Sequence, residues 1–555
     1  MHQEIAALLK NFDTIPAEER KTKVLACIRD FGALEFFVSA LYLWHAAPPR
    51  SFFRTLNEIS VFPPPEVKEI KTLGIISEYM GCGGIERVLV AQFECFHRMG
   101  IRIVLMTPKE YIEGKTFPIP KFIKRIKVPV EIREQGKAIS QIITDEKIDA
   151  IFFPYITIDH MLFLCSIARI VHKIPFITYY HTSSFLPYNK GMFDHVEENL
   201  RLRQYSSLNV FLSPLDANYY SCFGAKCLYL PNPVPFPMVQ KKEVRPKRKK
   251  ILWLGRVVDQ KHPLDAIRIY DDILQKIPDA QLAFVGGGPT LDKAKHFAES
   301  CCPAGNITFY GAEMDVRKYY LDADVFLSTS EIEGFQMTLV EALSAGLPVV
   351  AYELAYQPPH CDENKGIVTV PMYDTFAAAD AIVKLLEDDE HYADMSRKAL
   401  KQAEKYCNFD FEAEWKKIFE AVCTDQVDSL IAPYVSQDKN FRTFLQYFFL
   451  YLPIGSNTLI QKIKDPLNTK IRELTSAQTE AGNRIAEQQA QITALNARVA
   501  EQQAQITALN ARVAELSQPW LKRKIKGGIR CYKENGLVYT VKLLFRKISN
   551  KFRKG

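Results

Sequence analysis

The sequence predicts an α/β protein: two facing, doubly wound parallel-sheet domains, with a helical preface before them and a coiled coil and a basic amphipathic helix after them. Three observations predict it. Short apolar runs alternate with amphipathic helical stretches from Lys71 to about residue 425, as in the strand-helix-strand units of a parallel sheet. A basic stretch at 240–250 interrupts that series once, leaving two stretches of domain size. Near the carboxyl end, Ala486–Val499 recurs letter for letter as Ala500–Val513, and fourteen residues are two heptads.

A length of 555 residues exceeds one ordinary domain, and 47 % hydrophobic with 24 % charged residues describes a globular chain rather than a disordered one. The formal charge of +7 is unevenly placed. Between Lys522 and Lys554 stand twelve Lys or Arg and one acid, Glu534, so an anionic partner is expected at that end. The 12 cysteines form no CxxC pair and no regular framework, which argues against a structural zinc site and for free thiols in a reducing cytosol. The first residues, MHQEIAALLKNFDTIPAEER, lack the basic start and apolar core of a signal peptide. No stretch reaches the roughly 20 apolar residues that span a bilayer; the richest, Phe441–Ile454, is shorter and contains Gln446 and Pro453.

In chain order, residues 1–68 carry helical apolar spacing (Phe31, Leu34, Phe37, Val38, Leu41) and end at Pro63, Pro64 and Pro65, which cannot continue a helix. The first sheet domain, 69–240, is expected from KTLGIISEY, IRIVLMT, DAIFFPY, PFITYYH, LNVFLSP and LYLPNPV. The basic stretch QKKEVRPKRKK reads as a solvated linker, since no aromatic residues interleave to suit nucleic acid. The second sheet domain, 241–425, follows from ILWLGRV, AQLAFVGGG, NITFYGA, ADVFLSTS and LPVVAYE. In such pairs, ligands sit in the cleft at the carboxyl ends of the strands.

The densest chemical signal lies there, in STSEIEGFQMTLVEALSAGLPVV (Ser328–Val350). A strand ends in a loop, and a helix is expected to begin near Phe335, offering free backbone N–H groups that suit a phosphate. Glu341, about two turns in, can accept hydrogen bonds from a ribose diol, and Glu333, before the helix, can hold sugar hydroxyls; acids early in a helix also serve capping alone. In WLGRVVDQK, Arg256 and Lys261 leave the first strand of the second domain, where two fixed cations can neutralise a departing diphosphate. FVGGGP ends another strand with a Gly triplet centred on Gly287, which permits close backbone approach by a ligand or forms an ordinary turn. Asp322-Ala323-Asp324 spells a metal-binding triplet but directly precedes a strand, and is read as structural.

On these residues, together with the first-domain turn GCGGIER from Gly81, the span from 71 to about 425 resembles the GT-B glycosyltransferases of the large retaining family numbered four, typified by sucrose synthase and bacterial mannosyl and glucosyl transferases. The resemblance implies that Arg256 and Lys261 bind the donor diphosphate, Glu341 the ribose, and Glu333 the transferred sugar near its reacting carbon. Backbone at Gly334, Phe335 and Gln336 would line the sugar and phosphate site, and Gly83 and Gly84 would let the first-domain loop approach the diphosphate and acceptor. His181, at the end of PFITYYH, matches a family histidine that contacts the donor sugar. Gln336 departs from the small residue or proline often found there, which bears on sugar preference. The implied reaction moves a glycosyl group from a nucleotide sugar to a hydroxyl with retained configuration by same-face attack, the nucleotide sugar being a co-substrate, with no cofactor and no metal.

Beyond the enzyme, 426–469 is a helical, aromatic connector, and 470–517 a coiled coil. With position a at Ile471, Gln478, Ile485, Ile492, Val499, Ile506 and Val513, position d falls at Leu474, Ala481, Gln488, Leu495, Gln502, Leu509 and Leu516. Branched residues at a with Leu at d favour a parallel homodimer, while buried Gln478, Gln488 and Gln502 leave a trimer open. Pro519 stops the rod, and in the tail, 518–555, Leu537, Val538, Val541, Leu544, Phe545, Ile548 and Phe552 form one face ringed by Lys542, Arg546, Lys547 and Lys551. Such a helix suits an anionic membrane surface; packing on the enzyme is the rival, and no nucleic-acid motif accompanies it. The expectation is a cytoplasmic enzyme, peripheral on the inner face of the cell membrane, that extends a lipid-linked bacterial surface polysaccharide. A retired GT-B fold scaffolding other enzymes and a nucleotide-sugar epimerase are the alternatives.

Overall fold

In a computed structural model of the chain, the residues described are 3–44, 51–52, 55–56, 63–77, 80, 84–109, 118–154, 163–181, 203–221, 224–234, 238, 249–302, 306–354 and 365–431. The expected connector beyond residue 431, the coiled coil and the tail, most of the basic linker, and Gly83 lie outside them.

The preface forms α1 (Gln3–Lys10), α2 (Ala17–Phe31) and α3 (Ala33–Trp44). Their apolar faces do not close on one another alone. Ile5, Leu9, Phe12, Phe36 and Phe37 bury against Val104, Met106, Ile139 and Ile143 of the first sheet domain, so the preface covers one face of that sheet.

The first sheet contains β1 (Thr72–Ile76), β2 (Arg102–Thr107), β3 (Lys124–Lys127), β4 (Ala150–Phe153), β5 (Phe176–Tyr180), β6 (Leu208–Phe211) and β7 (Cys227–Tyr229), in the order β3-β2-β1-β4-β5-β6-β7. Every pairing is parallel. With helices on both faces, β1, β4 and β5 are buried throughout, which is why they read as continuous apolar runs rather than alternating ones. α4 (Gly84–Arg98) and α5 (Ile132–Asp145) flank it, and α6 (Pro214–Ser221) follows β6.

The second sheet repeats the plan with β8 (Lys250–Leu254), β9 (Gln281–Val285), β10 (Asn306–Gly311), β11 (Val325–Ser328), β12 (Val349–Tyr352) and β13 (Ile367–Val370), ordered β10-β9-β8-β11-β12-β13. Its helices are α7 (Pro263–Leu274), α8 (Leu291–Cys301), α9 (Arg317–Asp322), α10 (Met337–Ser344), α11 (Thr375–Glu387) and α12 (Asp389–Cys407). In each sheet the winding reverses beside the first strand, at β1/β4 and β8/β11, and these switch points open crevices at the carboxyl ends of the strands.

The two aspartates of the Asp322-Ala323-Asp324 triplet lie at the other end. Asp324 Oδ2 accepts from the Lys250 amide at 3.0 Å, and Asp322 pairs with the Lys250 ammonium at 2.5 Å, so together they anchor the start of β8 against β11.

Three features depart from the sequence reading. β3 and β13 were not expected; β3 is an exposed edge strand of sequence KRIK whose charges mask its extended backbone. The second domain was expected to run to 425, yet α13 (Phe411–Thr424) and α14 (Val427–Ile431) return to the first sheet. Trp415, Ile418 and Phe419 bury against Phe96, Phe152 and Tyr179 there, because the amphipathic pattern of a helix does not state which sheet it covers. Finally, α10 begins at Met337 rather than near Phe335, so Glu341 stands little more than one turn into it.

Among the described residues, no helix is long and apolar enough to cross a membrane, and the eight cysteines are free thiols.

Candidate active site

The second-domain residues singled out from sequence sit on two loops, after β8 and after β11, that are laced together. Trp253 Nε1 donates to Thr329 Oγ1 at 2.9 Å, and the Thr329 hydroxyl donates to the Lys261 carbonyl at 2.7 Å. Gln260 Nε2 donates to the Ile332 carbonyl at 2.9 Å, while the Glu331 amide donates to the Gln260 carbonyl at 3.0 Å. His262, in a left-handed conformation before Pro263, places its Nε2 3.1 Å from Glu331 Oε2.

This lacing brings the Lys261 ammonium onto the Glu333 carboxylate, with both side chains mostly withdrawn from water. Lys261 is therefore paired with the carboxylate expected to meet the sugar. Arg256 is exposed on the same loop and makes no ion pair among the described residues.

The Gly triplet has a reason inside the protein. A Cβ at Gly286, where φ is +143°, would stand 1.8 Å from the Gly255 carbonyl oxygen, and one at Gly288 would stand 2.3 Å from that of Val257. Gly287 accepts from the Val257 amide at 2.9 Å. Gly286 and Gly288 thus permit a close approach to the Arg256 loop, which the triplet seats.

Gln336 precedes α10 with a left-handed backbone (φ 55°) and a buried side chain. Its Nε2 donates to Ser328 Oγ at 2.5 Å and its Oε1 has no partner among the described residues. A non-glycine residue held there costs about 1–2 kcal/mol, and the buried hydrogen bond offsets part of it. Gly334 is half-buried beside it. The ring of Phe335 packs edge-on against Tyr406 at 5.6 Å, inside the core that α13 shares with the first sheet.

Glu341 is 2 % exposed, and both its oxygens are engaged: Tyr320 donates its hydroxyl to Oε2 at 2.8 Å, and Arg87 Nη1 lies 3.3 Å from Oε1. Burial pushes the Glu341 carboxyl up, opposed by the Arg87 charge and the Tyr320 hydrogen bond. Arg87 belongs to the first-domain GCGGIER stretch and Tyr320 to α9. No sequence pattern linked either to Glu341, because the contacts join separate elements.

On the first-domain side, Gly84 opens α4 with nothing within 4 Å of where a Cβ would stand, so a side chain there would enter open space. His181 follows β5, 9 % exposed, edge-on to Tyr179 at 4.5 Å, and its Nε2 has no partner among the described residues. Burial pushes its imidazole down to about 3, so it is neutral at physiological pH and carries one free hydrogen-bonding nitrogen.

Comparison with known proteins bears on the second domain most directly. Residues 237–402 match the family model described as glycosyl transferases group 1. The poly(glycerol-phosphate) alpha-glucosyltransferase of Bacillus subtilis is 29 % identical over 168 residues, 30 % of this chain and 25 % of that protein. A GDP-mannose-dependent alpha-(1-6)-phosphatidylinositol monomannoside mannosyltransferase of Mycobacterium tuberculosis is 28 % identical over 169 residues, 29 % of this chain and 44 % of that protein. The chain thus spans a quarter to under half the length of these relatives. S. aureus TarM, crystallised with Fondaparinux, alpha-GlcNAc-glycerol and UDP, superposes with a TM-score of 0.51 at 12 % identity, covering 63 % of this chain and all of that one. That likeness shows the fold, two parallel sheets with flanking helices in the GT-B arrangement. The chain thus has the GT-B fold, and its residues 237–402 are similar to the glycosyl transferases group 1.

Proposed function

We propose that this protein is a retaining glycosyltransferase that moves a sugar from a nucleotide-sugar donor to a hydroxyl of a growing, lipid-linked bacterial surface polysaccharide. The observation that carries the reading is the Lys261–Glu333 pair on the loops that follow β8 and β11, with Arg256 on the same loop as Lys261 and Glu341 on the helix after β11, all in the domain that matches the family model.

In this reading the ribose diol meets Glu341 and the diphosphate meets Arg256 and Lys261. The arriving phosphates compete with Glu333 for Lys261, and Glu333, partly released, turns to the sugar hydroxyls. The acceptor oxygen bonds to the anomeric carbon on the face from which the phosphate oxygen departs, and the acceptor proton passes to that phosphate. Charge building on the leaving diphosphate is met by Lys261, drawn from Glu333, and by Arg256, an electrostatic contribution of the kind worth about 10²–10³ in rate. No metal is needed in this scheme, and the aspartates of the triplet are engaged with Lys250. Neutral His181 offers a hydrogen bond to the sugar without adding charge.

The names of the relatives support an acceptor on a phosphate-bearing polymer or lipid and α-linked products. The heptads support a homodimer or trimer, and the basic amphipathic tail supports a peripheral seat on the inner face of the cell membrane.

The test is a donor screen by mass change on a lipid-linked oligosaccharide, with the product's anomeric configuration read by NMR. The reading expects one donor to be transferred with retention. Inversion sinks the mechanism, and nucleotide binding by no donor favours the scaffold.

A further inference from the structure

The Arg87–Glu341 pair joins the two domains at a buried point, and its chemistry has a consequence for donor recognition. A carboxylate that binds a vicinal diol must be ionised and must present lone pairs in a fixed plane. Glu341 is poorly placed to stay ionised, since it is 2 % exposed and its own helix offers it no cation. The groups that act on it come from other elements. Tyr320, fully buried on α9, donates to one oxygen and fixes the carboxylate plane. Arg87, in the first turn of α4, supplies the positive charge at 3.3 Å. α12 also packs near α10, but its Tyr406 meets the Phe335 ring rather than the carboxylate.

We propose that Arg87 is a positioning residue for the donor ribose: reaching from the first domain, it holds the Glu341 carboxylate in the form that accepts the diol, so that ribose recognition in the second domain depends on a side chain of the first. The inference rests on the reading that Glu341 meets the ribose. Each carboxylate oxygen has two lone pairs, so the diol can bind while Arg87 and Tyr320 stay in place. Donor binding is thereby tied to the Arg87–Glu341 contact, with no contact between Arg87 and the reacting atoms required.

The test is a binding cycle on the full chain with UDP and GDP, each set against its 2′-deoxy counterpart, read by calorimetry. A site built to hydrogen-bond a ribose hydroxyl through a charged group prefers the ribonucleotide by about tenfold or more. Arg87→Met is expected to erase most of that preference while leaving the deoxynucleotide affinity within about twofold, and Arg87→Lys to restore part of it. Loss of Arg87 leaves burial acting on Glu341 unopposed by charge, so the carboxyl titrates higher. The preference in Arg87→Met should therefore return as pH is raised, a recovery that a merely structural role would not produce.

If Arg87→Met weakens both nucleotides equally at every pH, or keeps the preference intact, the inference is overturned. Glu341→Gln separates the two levels of the claim. Should that variant lose the preference while Arg87→Met keeps it, the ribose site stands and the role of Arg87 falls. If the wild-type chain shows no ribose preference, or binds neither nucleotide, the reading of Glu341 fails and this inference with it.

Discussion

In both domains an aspartate standing just before a strand accepts from the backbone amide that starts the neighbouring central strand. Asp149, ahead of β4, accepts from the Lys71 and Thr72 amides at 2.9 and 2.8 Å, and Asp324, ahead of β11, accepts from the Lys250 amide at 3.0 Å. At the opposite, carboxyl ends of the same sheets the domains part. The second domain assembles the Lys261–Glu333 ion pair beside the His262–Glu331 hydrogen bond, whereas the first presents a neutral, buried histidine beside Tyr179. The repeated frame is thus kept at the amino ends, and the domains differ at the carboxyl ends: a Lys–Glu ion pair on one side, a neutral histidine and the Arg87 that reaches Glu341 on the other.

The comparison is asymmetric in stability too. α13 and α14 return to the first sheet, so part of that domain's core comes from the chain's last described helices. Trp415→Ala should destabilise the protein by about 3–5 kcal/mol in a denaturant titration, since a fully buried indole leaves a cavity among Phe96, Phe152 and Tyr179. A cost under about 1 kcal/mol would show that the returning helix only rests on the sheet.

Next in size is the division of chemistry. Glu333→Ala should lower donor turnover by about 10²–10³, whereas His181→Ala, removing one neutral contact, should lower it by about tenfold. The reverse ranking would move the chemical weight to the first domain. Smaller again are the two anchors. Asp149→Ala and Asp324→Ala should each cost about 1–3 kcal/mol, and Asp149→Ala the more, since two amides lose an acceptor.

The smallest effect is a pH dependence. His181 has its folded pKa depressed to about 3, so the unfolded chain takes up a proton first as pH falls. The associated stability is fully present above the unfolded imidazole value of roughly 6.5 and is lost below it, about 1 kcal/mol one unit down. His181→Gln should abolish that acid-side slope in a thermal melt series, and an unchanged slope would show that His181 is charged in the fold.

Which parts were legible follows from the range of the forces involved. Buried strands such as TLGII and VFLS announce themselves because both faces are apolar, and the switch points place the loops that follow them. The exposed edge strand KRIK carries no such pattern, and the sheet served by EAEWKKIFEAV is set by packing rather than by its own sequence. Glu333, Lys261 and Arg256 were legible as residue types at strand ends, but the pairing of Lys261 with Glu333 was not, since it depends on how the two loops lace. Likewise Arg87 stood in plain view within GCGGIER, while its partner lies in the other domain.

The central claim is that paired charges after β8 and β11 hold a nucleotide-sugar donor. The most direct measurement is release of nucleoside diphosphate from a panel of UDP-, GDP- and ADP-sugars by the full chain, Lys261→Met and Glu333→Ala. One donor should be turned over by the wild-type chain and about 10²-fold more slowly by each variant. Turnover undiminished in both variants would contradict the account.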